Sequence, residues 1–166
     1  MHEGPATPKD SDVRDGDEWF ARPDAGSGAA GLSFGCTQCG DCCTGAGGYV
    51  LFTPEEAASL ARRLGVSDEE FISRYTHDTA AGRSLREVRG EFGLDCVFLD
   101  RTKFPGRAVC GVYEDRPMQC RTWPFWKSNL ASPSAWARAS RSCPGMNKGR
   151  RYDVQQIRIL RDKVDI

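Results

Sequence analysis

The sequence predicts a small α+β domain of short antiparallel strands and three or so helices, organised around a cysteine metal site and preceded by a disordered N-terminal tail. Three observations predict it. Two capped amphipathic helices follow one another between residues 53 and 75, alternating apolar and polar stretches follow from residue 83, and "CTQCGDCC" places four thiols within residues 36–43. With 166 residues, 39% of them hydrophobic and 28% charged, the chain suits one domain rather than two.

Residues 1–31 carry seven acids and three bases and are rich in Gly, Ala, Pro, Asp and Ser. Such a stretch buries too little apolar surface to offset the entropy of ordering, so it reads as a disordered acidic tail with the domain spanning residues 32–166. Trp19 and Phe20 are its only bulky apolar residues and are taken as incidental to a flexible arm. After the cysteines, "TGAGGYVLFTPEE" passes from a glycine-rich loop to a short strand, Tyr49 to Phe52, and then to a helix start. Thr53 is the N-cap, Pro54 takes the first helical position where its missing N–H costs nothing, and Glu56 closes a capping box. The helix runs to about Leu64 with Leu60 and Leu64 inward, and Gly65 ends it. Ser67 then caps "DEEFISRY", with Glu70 three residues on and Phe71, Ile72 and Tyr75 as the apolar face.

Alternation takes over in "SLREVRGEFG", "CVFLD" and, after a "RTKFPG" turn, "RAVCGVY", which predict two or three short antiparallel strands. The stretch "RPMQCRTWPFWK" holds two prolines and three bulky aromatics and reads as an irregular packed loop. Val154, Ile157 and Leu160 recur at helical spacing in "YDVQQIRILRDKV", a terminal helix.

No run of 18 apolar residues is present, which argues against a membrane span, and the start has neither the basic end nor the apolar stretch of a secretion signal. A cytoplasmic protein is therefore expected. Thiols stay reduced there, so the eight cysteines are read as ligands in preference to disulfides. The tail carries a net charge of −4 and the rest of the chain +4. Neither figure is large, and nucleic acid is not the expected partner.

Cys36, Cys39 and Cys42 keep a three-residue step with Gly35, Gly40 and Gly45 around them. That step lets consecutive thiolates converge on one centre, and the glycines permit the tight turns required. Cys43 breaks the rhythm: neighbours in an extended segment point to opposite sides, so Cys42 and Cys43 are expected to do different jobs. Of the later thiols, Cys110, Cys120 and Cys143 stand in turn-rich ligand contexts, whereas Cys96 suits a ligand and a small core residue equally well. His77 reads as a surface or helix-capping residue and His2 as inert; neither supports a Cys–His nucleophile. Arg116, Arg121, Trp123, Phe125 and Trp126 are read as wrapping the metal site, shielding it from water and donating hydrogen bonds near thiolate charge, with Glu114 pairing to one of the arginines.

Taken together, "CTQCGDCC", "LFTPEEAASLARRLGVSDEEFISRY", "CVFLD", "CGVYEDRPMQCRTWPFW" and "CPGMNKG" resemble the YkgJ-like cysteine-cluster family of zinc- or iron-chelating domains. The resemblance implies that Cys36, Cys39, Cys42, Cys43, Cys96, Cys110, Cys120 and Cys143 are all metal-site residues. The cluster is also similar to that of flagellin lysine methylase, where an iron–sulfur centre is implicated in methyl transfer. The leading expectation is a protein holding an iron–sulfur cluster or zinc through thiolates. Iron–sulfur is placed ahead because one tetrahedral zinc needs only four thiols, although two four-cysteine zinc sites account for eight as well. The alternatives are an iron–sulfur enzyme or enzyme component in redox or methyl-transfer chemistry, and a zinc-stapled module that binds a protein partner.

Overall fold

The computed structural model of the chain describes residues 18–24, 26 and 28–166, so residues 1–17, 25 and 27 of the tail expected over residues 1–31 lie outside the described residues. From Glu18 to Phe20 the chain is packed. Trp19–Ala21 form a 3-10 turn in which Phe20 is 3% exposed. The Trp19 indole N–H donates to the Leu130 carbonyl at 2.8 Å. The Glu18 carboxylate accepts from Arg158 at 2.8 Å and Arg161 at 3.1 Å. Reading this aromatic pair as incidental is therefore corrected: apolar periodicity is blind to two aromatics that insert singly into a core built by distant residues.

The first strand, β1 (Leu32–Phe34), pairs antiparallel with β9 (Arg150–Tyr152), so the start of the domain lies beside its end. Next come the two-residue β2 (Thr44–Gly45) and helices α1 (Pro54–Leu64) and α2 (Asp68–Tyr75). Both halves of the expected capping box are made at Thr53 and Glu56, and Gly65 ends α1 in the left-handed region. At α2 only half of the box forms. Ser67 Oγ accepts from the Glu70 N–H, while the Glu70 carboxylate turns to Arg74 one helical turn on. Leu60 and Phe71 are fully buried, and Leu64, Ile72 and Tyr75 pack half-buried beside them.

The strands are more numerous and shorter than the alternation predicts. They are β3 (Thr76–Thr79), β4 (Gly82–Leu85), β5 (Glu87–Gly90), β6 (Gly93–Cys96), β7 (Leu99–Asp100) and β8 (Val109–Cys110). They pair as β3–β4, β2–β6–β5 and β7–β8, giving with β1–β9 four small antiparallel sheets among the described residues. His77 lies in β3 rather than capping a helix. The expected strand from Tyr49 to Phe52 shrinks to a single bridge from Leu51 to Ser84. The buried Gln119 side chain takes the backbone partners that a strand there would use: its Oε1 accepts from the Leu51 N–H and its Nε2 donates to the Tyr49 carbonyl, each at 2.8 Å.

The expected irregular loop contains two single-turn helices, α3 (Met118–Arg121) and α4 (Lys127–Leu130), on either side of a cis Trp123–Pro124 peptide bond. A further helix, α5 (Pro133–Ser142), is absent from the sequence reading although Ser132 caps it and Pro133 opens it. The terminal helix, α6 (Val154–Arg161), is present as expected, with Asp153 and Gln156 forming its capping box and Ile157 fully buried.

Two apolar clusters result. One gathers Phe20, Leu32, Phe125, Trp136, Met146 and Ile157 with Cys143; the other gathers Leu60, Phe71, Leu85, Phe98 and Val112, with Cys96 and Cys110 at its edge. Among the described residues no helix is long and apolar enough to cross a membrane. Removal of a buried phenylalanine side chain typically costs about 3–5 kcal/mol, a large share of the roughly 5–15 kcal/mol that holds a domain together. Phe20→Ala is accordingly expected to shift the urea midpoint well downward, and a midpoint equal to that of the unaltered protein would show that the segment from Glu18 is not part of the core.

Candidate metal centre

Backbone pairing carries the thiols together. Thr44 stands opposite Asp95 and Gly45 opposite Leu94, so Cys43 and Cys96 are the adjoining residues at the end of that ladder. Leu99 stands opposite Cys110 in β7–β8. The Gln38 carbonyl accepts from the Ala108 N–H at 2.8 Å, which binds the Cys36–Cys39 segment to β8. At the other end, β1 pairs with β9, and the Gly35 N–H donates to the Gly145 carbonyl at 3.0 Å. Cys143 is thereby returned to Cys36 and Cys39 across a hundred residues of sequence. Cys120 sits on α3, which Gln119 ties to the segment that follows the glycine loop.

As a result, seven of the eight cysteines, Cys36, Cys39, Cys42, Cys43, Cys110, Cys120 and Cys143, line one cavity of about 50 Å³. Cys96 lines an adjoining open groove of about 430 Å³ that also touches Cys42 and Cys43. The cavity lies on the seam between the two apolar clusters, since Cys143, Phe34 and Trp123 belong to one and Cys110 and Val50 to the other. Cysteines around one cavity are not yet a coordination site. Among the described residues no group of three or more His, Cys, Asp or Glu side chains is arranged to hold a metal ion. The expectation of a domain organised around a formed cysteine metal site is corrected to that extent: protonated thiols pack as small apolar groups, and Cys96, Cys110 and Cys143 do so here.

Burial dominates the acidity of four of the sulfurs. It pushes the Cys96 thiol up to about 11, with the neighbouring Cys110 among the smaller causes. Cys120 is raised further, by burial and then by Cys96, Cys42 and Cys110. Cys39 and Cys110 are also raised, chiefly by burial. Cys42 and Cys43 form a hydrogen-bonded pair with their sulfurs 3.6 Å apart. The Cys43 S–H holds Cys42 below the ordinary thiol range, with Arg116 helping, while the same bond and burial raise Cys43. The expectation that these two point apart fails because the backbone is not extended there. Gly40 takes the left-handed region at φ 84°, and Asp41–Cys43 coil into a 3-10 turn.

Of the residues read as wrapping the site, Arg116, Trp123 and Trp126 line the cavity. Arg121 does not: it donates outward to the Glu114 and Arg116 carbonyls at 2.6 and 2.5 Å. Phe125 is buried in the apolar cluster, and it is Asp115 rather than Glu114 whose carboxylate meets an arginine, Arg63. Trp123 carries an unusual feature, because its indole N–H is buried without any acceptor. The same is true of His77 Nδ1, away from the cavity.

A lock that the sequence reading did not find holds the Cys43 and Cys96 strands. Asp95, 7% exposed, accepts from the Thr44 hydroxyl at 2.5 Å and from Arg101 at 3.2 Å, and Arg101 also donates to Thr44 Oγ1 at 2.5 Å. Asp, Thr and Arg scattered over fifty-odd residues have no local signature. The match of residues 35–144 to the CxxCxxCC family, described as a "putative zinc- or iron-chelating domain", covers more than half of the chain. The chain belongs to that family. No solved structure matches it.

The Arg101 guanidinium, aided by the Thr44 hydroxyl, holds the Asp95 carboxyl below the usual carboxylate range. Its charged form contributes stability above about pH 4, the unfolded value, and that contribution is lost as pH falls through the lower folded value. Thermal melts between about pH 5 and pH 2 should therefore fall more steeply for the wild type than for Asp95→Asn. Parallel curves would mean that the lock adds nothing.

Proposed function

We propose that this protein binds metal through its cysteine thiolates, as an iron–sulfur cluster or as zinc, in the cavity on the seam of the two apolar clusters. One observation carries the reading: seven cysteines from four separated stretches of the chain are among the residues lining a single small cavity. A wall of thiols suits thiophilic metal and little else. Several thiolates cannot ionise together at low dielectric unless a cation compensates them. The donor set fits both candidates, since zinc and iron–sulfur clusters alike are held by four thiolates. Cys36, Cys39, Cys42, Cys43, Cys96, Cys110, Cys120 and Cys143 are the residues from which those ligands would come. Trp123 adds a second fit. A buried N–H without an acceptor costs about 1–3 kcal/mol, and a metal-bound sulfur on the same cavity wall would supply one. Bound zinc would tie the two clusters together, and a bound iron–sulfur cluster would add electron transfer. Free thiols in this number go with a reducing compartment such as the cytoplasm.

The groove of about 430 Å³ that shares Cys42 and Cys43 with the cavity favours a second reading, a metal-dependent enzyme or enzyme component in redox or methyl-transfer chemistry. It differs from the first in needing a substrate in that groove.

Protein isolated without oxygen is expected to hold at least one zinc, or iron with acid-labile sulfide, per chain. Structural zinc contributes on the order of 10 kcal/mol, so chelation should lower the melting temperature by many degrees. A metal-free isolate that takes up neither zinc nor iron, with a melt indifferent to chelator, would sink the proposal. Trp123→Phe separates the N–H from the ring's bulk: it should destabilise the metal-loaded protein more than the chelated protein. Equal losses in the two melts would mean that the indole N–H does not serve the centre.

A further inference from the structure

We infer that Cys42 and Cys43 close on one and the same metal atom, so that the centre takes two thiolates per metal atom from this pair. The inference rests on the metal-binding reading above and narrows it. Adjacent cysteines in extended backbone would point to opposite sides and reach different atoms. Here the chain is bent to prevent that. Gly40 sits at φ 84°, ψ −4°, the Cys43 N–H donates back to the Gly40 carbonyl at 2.8 Å, and Asp41–Cys43 complete a 3-10 turn. The bend is enforced from outside as well, because a Cβ at residue 40 would stand 2.6 Å from the Ala108 Cβ. Any side chain there clashes with the segment that Gln38 anchors, and it would also hold a left-handed backbone that L side chains rarely adopt.

The product of the bend is a sulfur–sulfur distance of 3.6 Å. Two thiolates on a tetrahedral zinc, each about 2.3 Å from the ion, stand about 3.8 Å apart. The pair is thus set for a shared atom before any ion arrives, and each thiol has only to give its proton to solvent. The same spacing bears on iron. Four cysteines hold either two irons, which is two thiolates each, or four irons, which is one each. A pair at this distance matches zinc or a two-iron centre and does not match two corners of a four-iron cube. Cys96, which adjoins Cys43 at the end of the β2–β6 ladder, and Cys120, on the same cavity, are candidate sources of further ligands.

X-ray absorption on the zinc-loaded protein counts sulfurs per zinc, and competition with a chelating dye gives affinity. Cys42→Ser and Cys43→Ser are each expected to lose tenfold or more in affinity for the same zinc equivalent, since even residues behind the ligands cost 10–100-fold. Each should also drop that zinc's sulfur count by one. Either variant binding as the wild type does, with its sulfur count intact, overturns the inference, as does a four-iron, four-sulfide cluster that survives both single substitutions. Wild-type protein that takes up no metal sinks the underlying reading instead. A probe that needs no variant guards against misfolding. Phenylarsine oxide joins two thiols on one arsenic with release of one water, and in the chelated wild type its adduct should map to the Cys42–Cys43 peptide. Adducts confined to other thiols would refute the shared atom.

Discussion

Antiparallel ladders of two to four residues decide where the sulfurs of this chain lie, and none of those ladders is stable by itself. Thr44 and Gly45 against Asp95 and Leu94, Leu99 against Cys110, and Leu32–Phe34 against Arg150–Tyr152 are each too short to persist in water without packing on one face. They persist because two apolar clusters cover them, and those clusters share a wall in which Cys143, Trp123, Cys110 and Val50 meet. The dependence runs both ways. Loosen the wall and the ladders lose their backing; slip a ladder by one residue and its cysteine turns to the other face.

That wall explains why thiols can be core and ligand by turns. A protonated cysteine packs like a small apolar residue, so the seam is stable with its sulfurs uncharged. Ionising them one after another is opposed by burial and by one another, which is why Cys39, Cys96, Cys110 and Cys120 are all held above the ordinary thiol range. On the proposed reading a cation reverses the balance and turns the repulsion among thiolates into the reason for binding. The Cys42–Cys43 pair lies where the cavity meets the open groove. Its groove is open to ligands from solvent.

The segment from Glu18 to Phe20 belongs to the same economy of small clusters. A domain with so little core gains from every aromatic it can recruit, and Phe20 and Trp19 close the face formed by Leu130, Trp136 and Ile157. Glu18 sits between Arg158 and Arg161 and is paired on both sides, as a buried carboxylate must be. The acidic character of this stretch, which suggests solvation, is in this one residue a packing contact.

What could be read without coordinates follows the range of the physics. Helices α1, α2 and α6 are visible because caps and apolar spacing act within four residues: Thr53 with Glu56, Ser67 with Glu70, and Val154 with Ile157 and Leu160. The Ser132–Pro133 start of α5 carries the same local signal. The "CTQCGDCC" run marks thiol chemistry and the family in the same way, by residue type and spacing alone. Tertiary structure decided the rest: that Cys143 returns to Cys36, that Gln119 takes the hydrogen bonds of a would-be strand, and that Cys42 and Cys43 face each other. Those outcomes depend on partners fifty to a hundred residues away, such as the Ala108 methyl that forbids a side chain at Gly40. A short-range pattern carries no record of what distant residues will be packed against it.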